Sequence, residues 1–227
     1  MIAARIDKVD GKDIAGAIGE FESVENIQAF KDFLNSFNCF NYEFRKNHSL
    51  NLNSNFRTDY LFNSQIESIE DADLILLVGV NPRTEAPVLN SRILKAITKK
   101  KTKVYNIGTA ADLTYGYTHL GSNASILNDI NSGNHAVCEE LKAAKLPLLI
   151  IGHDTLTRVD TQAILNASKQ LANNYKFINT ENGWNGYNVL HRNQGQINAL
   201  ELGLDFKPIA HNPKVIFLLG CDNNITP

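Results

Sequence analysis

Short apolar runs that each stop at a glycine constrain the fold of this chain more than any other feature. Five of them occur along the sequence, at residues 14–19, 74–79, 104–108, 148–152 and 215–220. They are too short for typical helices, and several are rich in β-branched residues. The pattern therefore predicts buried strands of a parallel sheet, each ending in a turn.

Segments with the apolar spacing of helices lie between several of these strands. One begins after Ser23, which is placed to cap a helix. A second follows Asp160, and a third spans residues 190–204. In the first of them, the residues that fall on one face are Val24, Ile27, Phe30, Leu34 and Phe37. Alternation of strands and helices predicts an α/β protein with mainly parallel sheets and helices on both faces.

A faint internal repeat indicates how these elements divide. In each half of the chain, a glycine-stopped strand is followed by further helical segments and then by a second glycine-stopped strand. We predict two Rossmann-like lobes, at residues 1–109 and 147–227, with the second lobe incomplete at its C-terminus. The polar, glycine-punctuated residues 110–146 are predicted to connect them. The alternative is that the pattern does not reflect a repeat, because any α/β chain shows such an alternation.

Composition argues against several classes of function. A net charge of −2 and a pI near 6.3 provide no basic field that would attract nucleic acid or an anionic membrane. No apolar run approaches the roughly eighteen residues that a membrane-spanning helix needs. The N-terminal residues mix acids with bases and lack the apolar segment of a signal peptide. We therefore expect no nucleic-acid partner and no direct membrane span.

The residues that could bind a metal are scattered. Cys39, Cys138 and Cys221 are far apart, and an odd, sparse set predicts reduced thiols rather than a disulfide framework. An iron–sulfur cluster normally takes four cysteines. None of the six histidines has metal-ligand spacing with another His, Cys or acid. We predict no metal site and no catalytic set in this chain.

The stretch DADLILLVGVNPRTEAP contains the candidate nucleotide turn. Its apolar run reaches Gly79 and is followed at once by Asn81, Pro82 and Glu85. A buried strand that ends in a glycine turn is a usual place for an α/β protein to bind a phosphate or a nucleotide. Other glycine pairs do not complete a phosphate-binding motif: Gly116 and Gly121 lack the Lys-Ser/Thr of a P-loop, and Gly16 and Gly19 lack the G-x-G-x-x-G pattern.

Isolated histidines and the single tryptophan are most often structural. His119 and His135 are predicted to lie in loops, and His153 is predicted to cap the turn after a strand. His191 is predicted to lie on a helix, where it could support a neighbour. Trp184 is predicted to be a packing anchor rather than a stacking platform.

Long segments of the chain resemble the large iron–sulfur subunit of respiratory complex I, the NADH:ubiquinone oxidoreductase. The segments that carry the resemblance are YLFNSQIESIEDADLILLVGVNPRTEAPVLNSRILKA, KVYNIGTAADLTYGYTHLGSNASILNDINSGNHAV, VLHRNQGQINALELG and NPKVIFLLGCDNNIT. With GKDIAGAIGEFESVENIQAFKDFLNSFN, they cover nearly the whole chain.

The resemblance implies a fold similar to molybdopterin oxidoreductases such as formate dehydrogenase. In the complex I subunits, the N-terminal part holds the iron–sulfur clusters, and the part that this chain resembles lacks the metal cofactor. In pterin enzymes, the turn equivalent to Gly79–Pro82 helps to hold the cofactor's nucleotide, and an upstream Cys, selenocysteine or Ser binds the metal. Here Cys39 is followed by Phe40, not by a Cys–His pair. The turn is therefore expected to be an inherited shape without its ligand.

The resemblance implies a structural or accessory part of the peripheral arm of complex I, with no catalytic, cofactor-binding or metal-binding residue of its own. Its expected partners are other complex I subunits, above all the cluster-bearing N-terminal part. The expected location is the matrix side of the mitochondrial inner membrane, or the cytoplasmic side of a bacterial membrane. The alternatives are a pterin-dependent oxidoreductase domain that binds a molybdopterin guanine dinucleotide-type cofactor, and a free-standing nucleotide-binding regulator.

Overall fold

The structure, a computed structural model, describes residues 6, 8–44, 52, 56–204, 209 and 212–221. These residues form two compact units. The outer unit combines residues up to Arg57 with residues from Asn193 onward, and the inserted unit is Thr58–Arg192. The inserted unit is therefore continuous in sequence, whereas the outer unit is assembled from the two ends of the chain.

The outer unit is built on a three-stranded parallel sheet. Its elements are β1 (Ile14–Ile18), α1 (Val24–Ser36), β2 (Tyr42–Phe44), α8 (Gln194–Glu201) and β10 (Val215–Leu219), with a 3-10 turn at Gly11–Asp13. The strand order is β10-β1-β2. Helix α1 begins as the sequence predicts, because the Ser23 side chain accepts a hydrogen bond from the backbone N–H of Asn26 at 3.3 Å.

The inserted unit is built on a five-stranded parallel sheet. Two 3-10 turns, at Arg57–Asp59 and Ile66–Asp71, lead into it. The first half contains β3 (Leu74–Val78), α2 (Pro82–Glu85), α3 (Pro87–Lys100), β4 (Lys103–Ile107), β5 (Thr118–Gly121), α4 (Ile126–Asn131) and α5 (Cys138–Ala143). The second half contains β6 (Pro147–Ile151), α6 (His153–Leu156), α7 (Thr161–Asn174), β7 (Ile178–Asn179), β8 (Trp184–Asn185) and β9 (Tyr187–Val189). The strand order is β5-β4-β3-β6-β9, while β7 and β8 form a separate antiparallel pair.

The predicted fold class is confirmed, since the protein is α/β with mainly parallel sheets. All five glycine-stopped runs form strands, and every residue of β3 and β6 is buried. Parallel strands buried on both faces have continuous apolar sequences, which explains why these runs are recognisable.

The division of the chain differs from the predicted lobes at residues 1–109 and 147–227. Strand β3 pairs with β6 in one sheet, and β1 pairs with β10 in the other. Residues 110–146, predicted as a connection, contain β5, α4 and α5 and belong to the inserted unit. Apolar periodicity marks a strand, but the strand's partner depends on contacts far away in sequence.

The predicted helix over residues 190–204 is shorter than its apolar spacing indicates. Helix α8 begins only at Gln194, so His191 and Arg192 lie in the preceding loop. The physical reason is that β9 holds the chain up to Val189 in extended pairing with β6. Leu190 then continues that pairing by donating its N–H to the carbonyl of Ile151 at 2.8 Å.

Candidate functional site

The candidate site lies where β3, β4 and β6 end in the inserted unit. The chain leaves β3 towards β4 on one side of the sheet and leaves β6 towards β9 on the other. Such a reversal of strand order opens a crevice at the carboxyl ends of the strands, which is where α/β proteins bind ligands. A cavity of about 340 Å³ occupies this position. Its lining includes Gly79, Asn81, Glu85, Gly108, Asp154 and Arg192.

Three glycines let the ends of these strands approach one another. Gly79 has a φ of 57°, and a side chain there would clash with the Oγ1 of Thr155. A Cβ at Gly152 would clash with the carbonyl oxygen of Gly79, and one at Gly108 would lie 3.3 Å from the Gly79 Cα. These glycines are therefore needed for packing within the protein.

The glycine N–H groups at these turns are bonded within the protein. Three N–H groups each donate to a carbonyl at 2.9 Å: Gly79 to Ile107, Gly108 to Gly121 and Gly152 to Val78. A turn that binds phosphate directs backbone N–H groups at the ligand. Because the three glycine donors are used by the sheet, they are not available to a phosphate.

The residues after Gly79 form the start of a short helix. The Asn81 side chain accepts a hydrogen bond from the backbone N–H of Arg83 at 3.2 Å. The Asn81 N–H donates to Oε1 of Glu85 at 2.8 Å. Pro82 takes the first helical position, where a missing N–H costs nothing. The polar groups that made this turn a nucleotide candidate thus bind one another.

Glu85 places a buried carboxylate at the cavity. Its side chain is 4% exposed, and its Oε2 accepts no hydrogen bond from the described residues. The nearest cation is Arg192, whose Nε lies 3.9 Å from Oε2. Burial raises the pKa of the Glu85 carboxyl, and the hydrogen bond from Asn81 offsets part of that rise.

The arginines at the cavity are paired with acids of the protein. Arg192 Nη2 lies 3.4 Å from Oδ1 of Asp154. Arg158 binds Asp160 with both its Nε and its Nη2, at 2.6 and 2.7 Å. Two cationic side chains therefore meet three acids, counting Glu85, and the cavity offers little positive charge to an anion.

A pterin dinucleotide cofactor does not fit these residues. Its pyrophosphate would need backbone donors that the sheet already uses, and it would meet the buried acid Glu85. The region upstream is equally unsuited to a metal, since Cys39 is fully buried and its thiol donates to the carbonyl of Ile14 at 3.2 Å. Burial raises the pKa of that thiol, which favours the protonated form that binds metals poorly.

The other cysteines and acids do not form a metal site in the part of the chain that the structure describes. There, no group of three or more His, Cys, Asp and Glu side chains is placed to hold an ion. The buried thiol of Cys138 donates to the carbonyl of Ile130 at 3.5 Å, and none of the three cysteines forms a disulfide.

The predicted structural residues contact the main chain. Three histidines do so through a ring nitrogen: His119 with the Gly108 carbonyl (2.8 Å), His135 with the Val137 N–H (3.2 Å) and His191 with the Tyr60 carbonyl (2.7 Å). His153 is buried at the start of α6. Trp184 packs against the core and donates from Nε1 to the carbonyl of Pro147 at 2.8 Å.

Sequence reasoning found one wall of the cavity and missed the other. Gly79, Asn81 and Glu85 lie in a single recognisable motif. Thr155 occupies the space that a side chain at Gly79 would need, and it donates to the Val78 carbonyl at 3.3 Å. It lies on helix α6, 77 residues after Val78. Arg192 follows β9 and carries no motif of its own. The glycine after β6 was the only available signal for this second wall.

Comparison with known proteins identifies the class that this fold and turn define. A family model described as molybdopterin oxidoreductase matches residues 1–227, so the chain belongs to that family. The chain is 34% identical, over 98% of its length, to the potato protein named NADH dehydrogenase [ubiquinone] iron-sulfur protein 1, mitochondrial. It is 36% identical, over 92% of its length, to the NADH-ubiquinone oxidoreductase 75 kDa subunit of Reclinomonas americana.

A bacterial relative agrees with these two. A subunit of the NADH-quinone oxidoreductase of Rickettsia bellii is 35% identical over 97% of this chain. The resemblance to the large iron–sulfur subunit of complex I is therefore confirmed. The matched region covers 30%, 33% and 32% of the three relatives, so the chain spans about a third of their length.

One solved structure shows the same fold. It is a chain of the formyltransferase/hydrolase complex from Methylorubrum extorquens, with a TM-score of 0.50 and 13% sequence identity. The match covers 92% of this chain and 62% of that chain. Within the residues that the structure describes, we find no helix of the length and apolarity required to cross a bilayer.

Proposed function

We propose that this chain is a structural part of the peripheral arm of respiratory complex I, and that it supports electron transfer from NADH to ubiquinone without a redox centre of its own. Its partners would be other complex I subunits, above all the part of the same subunit that carries the iron–sulfur clusters. Its location would be the matrix side of the mitochondrial inner membrane, or the cytoplasmic side of a bacterial membrane. The names of the relatives support this assignment.

The observation that carries the proposal is the closure of the nucleotide turn by the protein itself. Gly79 is packed against Thr155, its N–H is bonded to Ile107, and Asn81 is bonded to Glu85 and Arg83. A turn kept for a cofactor would leave such donors pointing into the cavity. In this chain, the turn instead stabilises the junction of β3, β4 and β6, which is a structural role.

Elemental analysis tests the proposal against a pterin-dependent oxidoreductase domain. Residues 1–227 are purified, and iron, molybdenum and tungsten are measured per mole of this polypeptide. We expect none of them at a stoichiometric level, and we expect the native protein that contains these residues to co-migrate with complex I. Stoichiometric molybdenum or tungsten would contradict the proposal in favour of the pterin enzyme. Stoichiometric iron, or a chain that migrates free of complex I, would also contradict it.

A further inference from the structure

Two asparagine–glycine pairs lie close together in the inserted unit, in the sequence ENGWNGYN. Asn182 and Gly183 belong to the turn between β7 and β8, whereas Asn185 ends β8 and Gly186 leads into β9. Each pair is followed by an aromatic residue, so the two have similar local sequences. An asparagine side chain before glycine is open to attack by the next backbone nitrogen, because glycine has no Cβ to hinder the approach.

The two asparagine side chains are held in the same way. The Oδ1 of Asn182 accepts a hydrogen bond from the N–H of Trp184 at 3.0 Å, and the Oδ1 of Asn185 accepts one from the N–H of Tyr187 at 3.2 Å. Both contacts are of the Asx-turn type. Each bond polarises the side-chain carbonyl at the oxygen on which negative charge develops when Cγ is attacked. The two carboxamides are therefore similarly prepared for this reaction.

The two glycine nitrogens are in different environments. Gly186 is buried, and its N–H donates to the carbonyl of Phe177 at 2.7 Å. A Cβ at Gly186 would lie 2.2 Å from the carbonyl oxygen of Pro147, so the backbone there is tightly enclosed. Gly183 is exposed, and within the described residues its N–H has no backbone acceptor and a Cβ would meet nothing within 4 Å. Its nitrogen can therefore turn towards the preceding side chain, whereas that of Gly186 must first break its bond to Phe177.

From this difference we infer that Asn182 is a site of spontaneous deamidation and that the fold protects Asn185 from the same reaction. The nitrogen of Gly183 gives up its proton and bonds to Cγ of Asn182. The bond from Cγ to Nδ2 breaks, and Nδ2 leaves as ammonia with that proton. Water then opens the resulting succinimide ring at either of its carbonyls, which yields aspartate or isoaspartate. The net reaction consumes water and releases ammonia, so it needs neither an enzyme nor an oxidant, and it does not rest on the proposed function.

The products change the hairpin that positions Trp184. Both add a negative charge to an exposed turn that already contains Glu181. Isoaspartate also routes the main chain through the former side chain, so the oxygen that accepts the hydrogen bond from the Trp184 N–H is displaced. Trp184 packs against the core of the inserted unit and is bonded to Pro147 through its indole. We therefore expect isoaspartate at position 182 to loosen this hairpin.

Mass spectrometry of a single peptide tests the inference. Trypsin cleaves after lysine and arginine and therefore releases residues 177–192 as one peptide that contains both pairs. The native protein is incubated at neutral pH and digested briefly, and fragment ions locate each deamidated asparagine over time. We expect Asn182 to react about tenfold faster than Asn185 or more, because Gly186 is available only after local opening. Equal rates, or a faster reaction at Asn185, would overturn the inference.

A synthetic peptide of residues 177–192 is the control for the effect of sequence. It lacks the contacts that bury Gly186, so we expect Asn182 and Asn185 to deamidate at similar rates in it. The same preference for Asn182 in the free peptide would assign the difference to sequence and would overturn the protection by the fold. Failure of Asn182 to react in the native protein, over a time in which the peptide reacts, would also overturn the inference.

Hydrogen exchange measures the consequence in the native protein. We expect the amides of residues 177–192 to exchange faster after long incubation of the wild type. The variant Asn182→Gln is the matched control, because its longer side chain forms the corresponding ring much less readily. Its exchange should stay constant over the same time. An equal increase in this variant would overturn the link between deamidation and loosening of the hairpin.

Discussion

Strands β3 and β10 have similar sequences and different environments. Each is a run of five apolar residues, LILLV and VIFLL, followed by a glycine with positive φ, 57° at Gly79 and 54° at Gly220. All five residues of β3 are buried, whereas none of the five in β10 is. The comparison shows that local sequence determines the strand, while neighbouring elements determine whether the strand is a finished core or an open edge.

The largest expected difference between the two strands is the cost of removing a leucine. Leu76 in β3 is fully buried, so Leu76→Ala should lower the free energy of unfolding by roughly 2–5 kcal/mol. Leu218 in β10 is half-exposed, so Leu218→Ala in the separate chain should cost about 1 kcal/mol or less. Chemical denaturation of both variants measures the difference. Equal losses would show that β10 is as well packed as β3.

Such a loss at Leu76 is a large fraction of the stability of a typical domain. We therefore also expect Leu76→Ala to reduce the amount of assembled complex in cells. Quantitative immunoblotting of native gels measures that amount.

Gly79→Ala sharpens the account of the closed strand ends. An alanine there must adopt positive φ and must also displace Thr155, so we expect a cost of roughly 1–3 kcal/mol. Thr155→Ala in the same chain should recover part of it. Gly116→Ala is the control, because no atom lies within 4 Å of a Cβ at that position. A cost at Gly79 that Thr155→Ala leaves unchanged would show that the clash is not the cause.

Glu85→Gln tests the buried carboxylate at the same site. Burial raises the pKa of Glu85 in the folded state above its unfolded value, so folding favours the protonated form. The stabilisation that protonation provides is present below the unfolded pKa, and it is lost as the pH rises through the folded pKa. We expect Glu85→Gln to be more stable than the wild type at neutral pH, and the difference to vanish near pH 4, about the unfolded value.

Thermal unfolding of both proteins across this pH range measures the effect. If the Gln variant is less stable at neutral pH, the carboxylate is stabilised by a cation in the cavity. Arg192, at 3.9 Å, would then contribute more than its distance suggests.

The smallest expected effect is that of the cysteines, which occur in both units. Cys39 and Cys138 are buried and behave as small apolar groups, while Cys221 is half-buried. Replacing all three with alanine should leave complex assembly and NADH oxidation largely intact. Activity and the electron paramagnetic resonance signals of the iron–sulfur clusters provide the measurement. Loss of a cluster signal in the assembled triple variant would show that one cysteine is a ligand.

The sequence predicted the strands because their signal is local. A short apolar run that ends in glycine can be recognised without knowledge of its partner strand, and all five such runs are strands. The pairing of the strands could not be recognised, because β1 pairs with β10 from the opposite end of the chain. The predicted lobes followed sequence order, whereas the sheets join segments separated by an entire inserted unit.

For the candidate site, too, the local motif was predictable and the contacts with distant segments were not. The turn at Gly79 was found from its motif, and its residues line the cavity. Whether the turn was open to a ligand depended on Thr155 and on the pairing of Gly79 with Ile107, which are contacts between segments far apart in the sequence. The absence of a Cys–His pair after Cys39 favoured a turn without its ligand, and the hydrogen bonds of the turn give that interpretation a physical basis.

The activity of assembled complex that carries Asn81→Ala tests the central claim most directly. The variant removes the cap of α2, so we expect a loss of stability of about 1 kcal/mol and a modest fall in the assembled amount. Asn179→Ala is the control. The Asn179 side chain accepts a similar hydrogen bond from the N–H of Glu181 at 3.0 Å, and Asn179 does not line the cavity. NADH:quinone activity per assembled complex should equal the wild-type value in both variants. An Asn81→Ala complex that assembles normally but turns over many-fold more slowly would show that the turn has a functional ligand, and it would contradict the structural role.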